Sequence, residues 1–135
     1  MGLDIVVDGE LPSPTFRFRH DGLFKPTAKF SGQLSVGLAD PQQDGSPVGP
    51  DPLWRIETTE AAARLEIRYG ETPPGAREVR APEPLRVDEL YVVVVSGGGR
   101  IGGVHFAQVG GRLMVSRDRD TARVELERLL AGPQA

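Results

Sequence analysis

The chain has 135 residues, 39% hydrophobic and 26% charged, with a formal net charge of −3; these values fit one ordinary globular domain and argue against global disorder. It contains no cysteine, which removes disulfides, thiolate metal sites and cysteine nucleophiles, and no asparagine, which removes N-glycosylation. Its 14 arginines and two lysines, Lys25 and Lys29, are interspersed with acids rather than gathered into a run, a distribution that disfavours nucleic acid or another polyanion as partner.

The chain opens with Met1-Gly-Leu-Asp-Ile-Val-Val-Asp8, in which Leu3 to Val7 reads as a strand and the acids sit where a signal peptide needs an apolar stretch. Val6 stands where a myristoylation motif wants Ser or Thr. No segment reaches the roughly 18 consecutive apolar residues of a membrane helix.

Phe16-Arg-Phe-Arg19 and Gln33-Leu-Ser-Val-Gly-Leu38 alternate apolar and polar residues with period two, which places one face of a strand on a core and the other in water. Between these, Phe24 and Phe30 bracket Lys25 to Lys29 as the best candidates for an exposed aromatic patch. Residues 40 to 52 hold four prolines and read as a long exposed loop, since proline cannot donate to a central ladder. Trp54-Arg-Ile-Glu57 and Arg64-Leu-Glu-Ile-Arg-Tyr69 resume the alternation, and Gly70 to Pro84 reads as a second loop.

Leu90-Tyr-Val-Val-Val-Val-Ser96 reads as a buried strand and leads into Gly97-Gly-Gly-Arg-Ile-Gly-Gly103. Gly97, Gly99 and Gly102 satisfy G-x-G-x-x-G, with Asp118 or Asp120 at the distance of a ribose-binding acid. A pyrophosphate cradle requires a helix next. The following Gly103-Val-His-Phe-Ala-Gln-Val-Gly-Gly-Arg-Leu-Met-Val115 is instead glycine-rich and alternating, poor as a helix because each interior glycine costs about 1 kcal/mol relative to alanine. The reading is a hairpin between two strands, with Arg112 to Ser116 as a further strand, and no bound cofactor.

Asp120 is a candidate cap for a helix over 121–131, with Ala122, Leu126, Leu129 and Leu130 near one face and Gly132-Pro133 as the stop. About eight strands, no crossover helix between them and one terminal helix predict a single all-β domain over 1–135, an antiparallel sandwich whose helix, within 120–131, covers an edge or end.

The chemistry-bearing residues do not assemble into a known pattern. His20 and His105 lack metal-ligand spacing, and His105 is expected on the strand face opposite Val104 and Phe106. Ser35 misses the nucleophile elbow by one residue and reads as a solvent-face serine. Glu57 with Glu60, or Glu125 with Glu127, could serve glycoside hydrolysis, which needs two carboxyl groups about 5 to 10 Å apart. Asp40, Asp44 and Asp51 could offer oxygens to Ca²⁺ but lack the tight loop spacing. Phe16, Phe18, Trp54, Tyr69, Tyr91 and Phe106 read as core aromatics. No catalytic, cofactor or metal residue is assigned.

The spacing Leu85-Arg-Val-Asp-Glu-Leu-Tyr91, followed by the valine run, resembles the fibronectin type III pattern of the immunoglobulin-like sandwiches. Trp54 followed by the tyrosine-bearing strand through Tyr69 is similar to that family's core tryptophan and its following strand, so the resemblance spans roughly residues 53 to 109. It implies that Tyr91 is a corner residue whose hydroxyl bonds backbone a few residues upstream. It further implies a non-enzymatic binding or structural module with a protein partner, and fold analogy leans to a bacterial exported or envelope-associated protein, with any export or lipoprotein signal preceding Met1-Gly2. The alternative is a small hydrolase or carbohydrate-binding protein using loop carboxylates, for which a deep polar pocket and a carboxylate of shifted pKa would be the signs.

Overall fold

The computed structural model describes residues 3–20, 31–39, 52–59, 66–97 and 100–131. Along these residues run β1 (Leu3–Asp8), β2 (Thr15–His20), β3 (Gly32–Leu38), β4 (Trp54–Thr58), β5 (Glu66–Arg68), β6 (Arg77–Arg80), β7 (Tyr91–Gly97), β8 (Arg100–Val109), β9 (Arg112–Ser116) and α1 (Arg119–Leu130). All pairings are antiparallel. They form a three-stranded sheet, β1-β2-β5, and a six-stranded sheet, β6-β4-β3-β7-β8-β9. Alternation is the main cause: strands such as β2 and β4 each offer one apolar face, and two such faces exclude water by packing together.

The core between the sheets takes Ile5, Val7, Phe16, Phe18 and Ile67 from the smaller sheet and Leu34, Val36, Trp54, Ile56, Val93, Val95, Val104 and Phe106 from the larger. Phe16 meets Phe106 edge-on across the interface, with centroids 5.8 Å apart, and Trp54 meets Tyr69 in the same way at 5.1 Å. A second, smaller cluster lies on the opposite face of the six-stranded sheet. There Ala122 and Leu126 of α1 pack on Val92, Ala107 and Met114, with Leu90 and Ala39 beside them. Arg123 of α1 reaches the Ala39 carbonyl at 2.9 Å, tying the helix to the far end of β3.

Tyr91 Oη accepts a hydrogen bond from the Arg86 backbone N–H at 2.7 Å, five residues upstream, while Leu85 is buried beneath it. The bond between the Tyr91 hydroxyl and backbone a few residues upstream, expected at this position, is present. Tyr69 Oη donates to the Glu83 carbonyl at 2.5 Å and anchors the long connection between β6 and β7.

Several expectations are corrected. The segment from Gly70 to Pro84 contains a strand, β6, which joins the edge beyond β4 through an irregular register between Arg55 and Ile56. The helix is capped by Asp118, not Asp120: the Asp118 carboxylate accepts from the Thr121 N–H at 2.8 Å and from its hydroxyl at 2.7 Å. Asp120 falls in the first turn, where an acid suits the helix dipole. Leu130 is 48% exposed, because Ala122 and Leu126 set the buried stripe and Leu130 has rotated off it.

Candidate functional site

Gly97, Gly102 and Gly103 of the glycine run belong to strands, and Gly98 and Gly99 lie outside the described residues. β7 and β8 pair antiparallel with Gly97 opposite Arg100, and Gly102 and Gly103 lie within β8 opposite Val95 and Val94. β8 runs on from Gly102 to Val109, so the helix that a pyrophosphate cradle needs directly after the glycines is replaced by strand. Gly97 serves packing instead. A Cβ there would strike the Ser31 carbonyl oxygen, and one at Gly32 (φ +126°) would strike that of Ser96, so the start of β3 and the end of β7 approach backbone to backbone.

His105 lies opposite Val92 and Ser116 on the face of the six-stranded sheet that α1 packs against, and it is buried. Its neighbours Val104 and Phe106 point into the main core, as the alternation requires. His20 ends β2. Ser35 is on the outer sheet face but is not a solvent residue: Arg55 Nε donates to its hydroxyl at 2.8 Å and Gln33 Nε2 at 3.4 Å, and their side chains bury it.

One acid of each pair is used in an ion pair. Glu57 binds Arg77 at 2.9 Å across β4 and β6, and Glu125 binds Arg128 within α1 at 3.1 Å. The Arg128 guanidinium holds the Glu125 carboxyl below its usual range, the opposite direction to that of a general acid. Glu127 is exposed. Glu60, Phe24, Phe30, Asp40, Asp44 and Asp51 lie outside the described residues. Among the described residues, no group of three or more His, Asp or Glu could hold a metal ion.

Two surface features among the described residues are taken as candidates. The first is an open groove of about 270 Å³ at the end of the sandwich where β3 finishes and β7 begins. Leu38, Leu53 and Pro84 give it an apolar side, Glu83 and Glu89 supply carboxylates, and Tyr91 lies at its base. Burial raises the pKa of both Tyr91 and Tyr69, and their oxygens are committed to backbone at Arg86 and Glu83. Both phenols therefore stay protonated at neutral pH and act as ties, with no hydroxyl poised for proton transfer.

The second feature is β9, an edge of the larger sheet, flanked by an open groove of about 350 Å³ along α1 that Met114, Thr121, Glu125 and Leu129 help to line. The β8–β9 turn is the pair Gly110-Gly111, both left-handed at φ +58° and +78°, as a two-residue type I′ hairpin demands. The residues flanking such a turn, Val109 and Arg112, exchange ladder hydrogen bonds, and by alternation so do Ala107 with Met114 and His105 with Ser116. Leu113 and Val115 consequently direct their backbone N–H and C=O groups away from the sheet. Val115 is 42% exposed although it faces the same side as the buried Phe106. Sequence reasoning found this strand but missed its edge position; the Gly110-Gly111 pair was the available signal for the hairpin.

Comparison with protein-family models, with curated proteins and with solved structures returns no match. The class rests on the fold: an antiparallel two-sheet β structure with a short C-terminal helix.

Proposed function

We propose that the chain is a non-enzymatic binding or structural module of the immunoglobulin and fibronectin type III kind, with a protein as partner. Two features support the finer fold reading. The order β1-β2-β5 facing β4-β3-β7-β8 follows the strand plan of such sandwiches, and Tyr91 makes the corner bond at the start of the strand that carries it there. β6, β9 and α1 are additions to that plan.

The observation that carries the functional reading is the β9 edge, where outward backbone groups lie beside exposed Val115. Such an edge is the means by which sandwiches add a partner's strand. The test is a photo-crosslinking residue in place of Ser116 on the edge strand, with another in place of Val79 on the opposite edge as reference. A defined protein adduct at Ser116 and none at Val79 is expected. Adducts at neither position, together with thermal stabilisation by a sugar or another small polar ligand, would overturn the reading.

Among the described residues, the hydrolase or carbohydrate-binding alternative would act in the Tyr91 groove with Glu83 and Glu89 or in a groove of about 410 Å³ that Glu66 and Glu71 help to line. In the Tyr91 groove, Glu83→Gln with Glu89→Gln abolishes such ligand stabilisation. Under the module reading the double variant changes nothing but surface charge.

A further inference from the structure

We infer that the occupant of the β9 edge is a second copy of this chain, paired β9 to β9 antiparallel about a twofold axis through Met114. The inference rests on the reading of the chain as a binding module. It begins from the backbone: Leu113 and Val115 present their N–H and C=O groups outward, and these residues are separated by one position. A twofold at Met114 sets Leu113 opposite the second copy's Val115, and Val115 opposite its Leu113. Each is then a hydrogen-bonded pair, so all four outward groups on each copy are satisfied and Met114 faces Met114 as the non-bonded pair between them.

The side chains agree with that register. The strand reads Arg112-Leu-Met-Val-Ser116, apolar at its middle three positions and polar at both ends, so pairing about Met114 matches apolar with apolar and Arg112 with Ser116. No like charges fall directly opposite each other. Beyond Ser116 on the second copy the sequence alternates Arg117, Asp118, Arg119 and Asp120, so Arg112 meets no block of like charge there. Moving the axis to Val115 would draw residues 117 and 118 into the ladder, but Asp118 is already committed to capping α1. Moving it to Leu113 would draw in the Gly110-Gly111 turn. On the inner side, Leu113 and Val115 of the two copies would lie side by side and cover the exposed Val115, and on the outer side an open groove along α1 borders the edge. The product is one continuous twelve-stranded sheet, twice the six strands of one copy.

The full chain lacks cysteine, so a single introduced thiol reports one position. Sedimentation velocity over a dilution series is expected to show a dimer that dissociates on dilution. Met114→Cys should give a disulfide-linked dimer under mild oxidation, because the axis brings that residue against itself, while Val79→Cys on the far edge should not. Val115→Pro should sediment as a folded monomer: its N–H points away from β8, so proline there spares the existing hairpin and removes only the outward donor. Val115→Lys serves the same purpose if the proline variant is poorly folded. A wild-type chain that stays monomeric, a dimer untouched by both Val115 variants, or a Met114→Cys chain that links no better than Val79→Cys would overturn the inference. A monomer that no small ligand stabilises removes self-pairing alone, whereas stabilisation by a sugar removes the module reading whatever the oligomeric state.

Discussion

Two glycines of the nucleotide-like run, Gly97 and Gly103, differ in kind, and the difference is measurable. Gly97 abuts Ser31 and Gly32, whereas a Cβ at Gly103 would meet the Val93 oxygen at 3.4 Å and a Val94 methyl at 3.6 Å, close to ordinary contact. Gly97→Ala should therefore destabilise the fold by about 1–3 kcal/mol, with Gly103→Ala well below it, as read from urea denaturation followed by circular dichroism. Equal effects would contradict the close approach of β3 and β7. The tyrosines give a second residue-scale prediction. Burial raises the ionisation of Tyr69 and Tyr91 above the ordinary value of about 10, so above that pH the unfolded chain releases protons that the folded chain retains. Their contribution is fully present below about pH 10 and is lost as pH rises toward the folded values. Stability should fall across that alkaline window, less steeply in Tyr69→Phe. At neutral pH, Tyr91→Phe should cost about 1–3 kcal/mol by leaving the Arg86 N–H without its acceptor.

At the scale of elements, Asp118→Ala should lower stability by about 1 kcal/mol through loss of the cap on α1, and Asp120→Ala by less, since Asp120 only faces the dipole. Denaturation of the two variants side by side checks the order. Sequence alone could not choose between these two aspartates, because either leaves Ala122 and Leu126 four residues apart on one face, and only the turn after β9 decides which carboxylate reaches Thr121. The strands with a buried face were legible for a physical reason: water on one side and core on the other writes period two into residues such as Phe16, Phe18, Trp54 and Ile56. β6 left no such mark. It pairs along one side and buries neither face, so Arg77-Glu-Val-Arg80 reads as loop, its one large apolar residue, Val79, being 45% exposed. The burial of Ser35 is hidden for a related reason, since the strand pattern gives its face correctly but not the long Arg55 side chain laid across it. The groove at Tyr91 and the outward groups of β9 depend on which strands end up as neighbours, and that pairing is not written in either segment.

For the molecule as a whole, two apolar clusters share one six-stranded sheet, and α1 covers the smaller. A chain ending at residue 117 should expose Val92, Ala107 and Met114 together and bind the dye ANS, which the full chain should not do. Retained solubility without dye binding would mean that α1 is dispensable to the sheet. Asp4 joins layers in another way, accepting from Arg19 of the adjacent strand at 3.1 Å and pairing with Arg117 just after β9, so a buried carboxylate links the edges of both sheets. The chain also has a single tryptophan, and Trp54 is fully buried where the two sheets meet, its ring nitrogen 3.4 Å from a Glu78 carboxylate oxygen of β6. Its emission is thus a built-in optical gauge: a red shift reports separation of the layers, while a brightness change at constant wavelength reports the outer strand peeling from the sheet with the interior still dry.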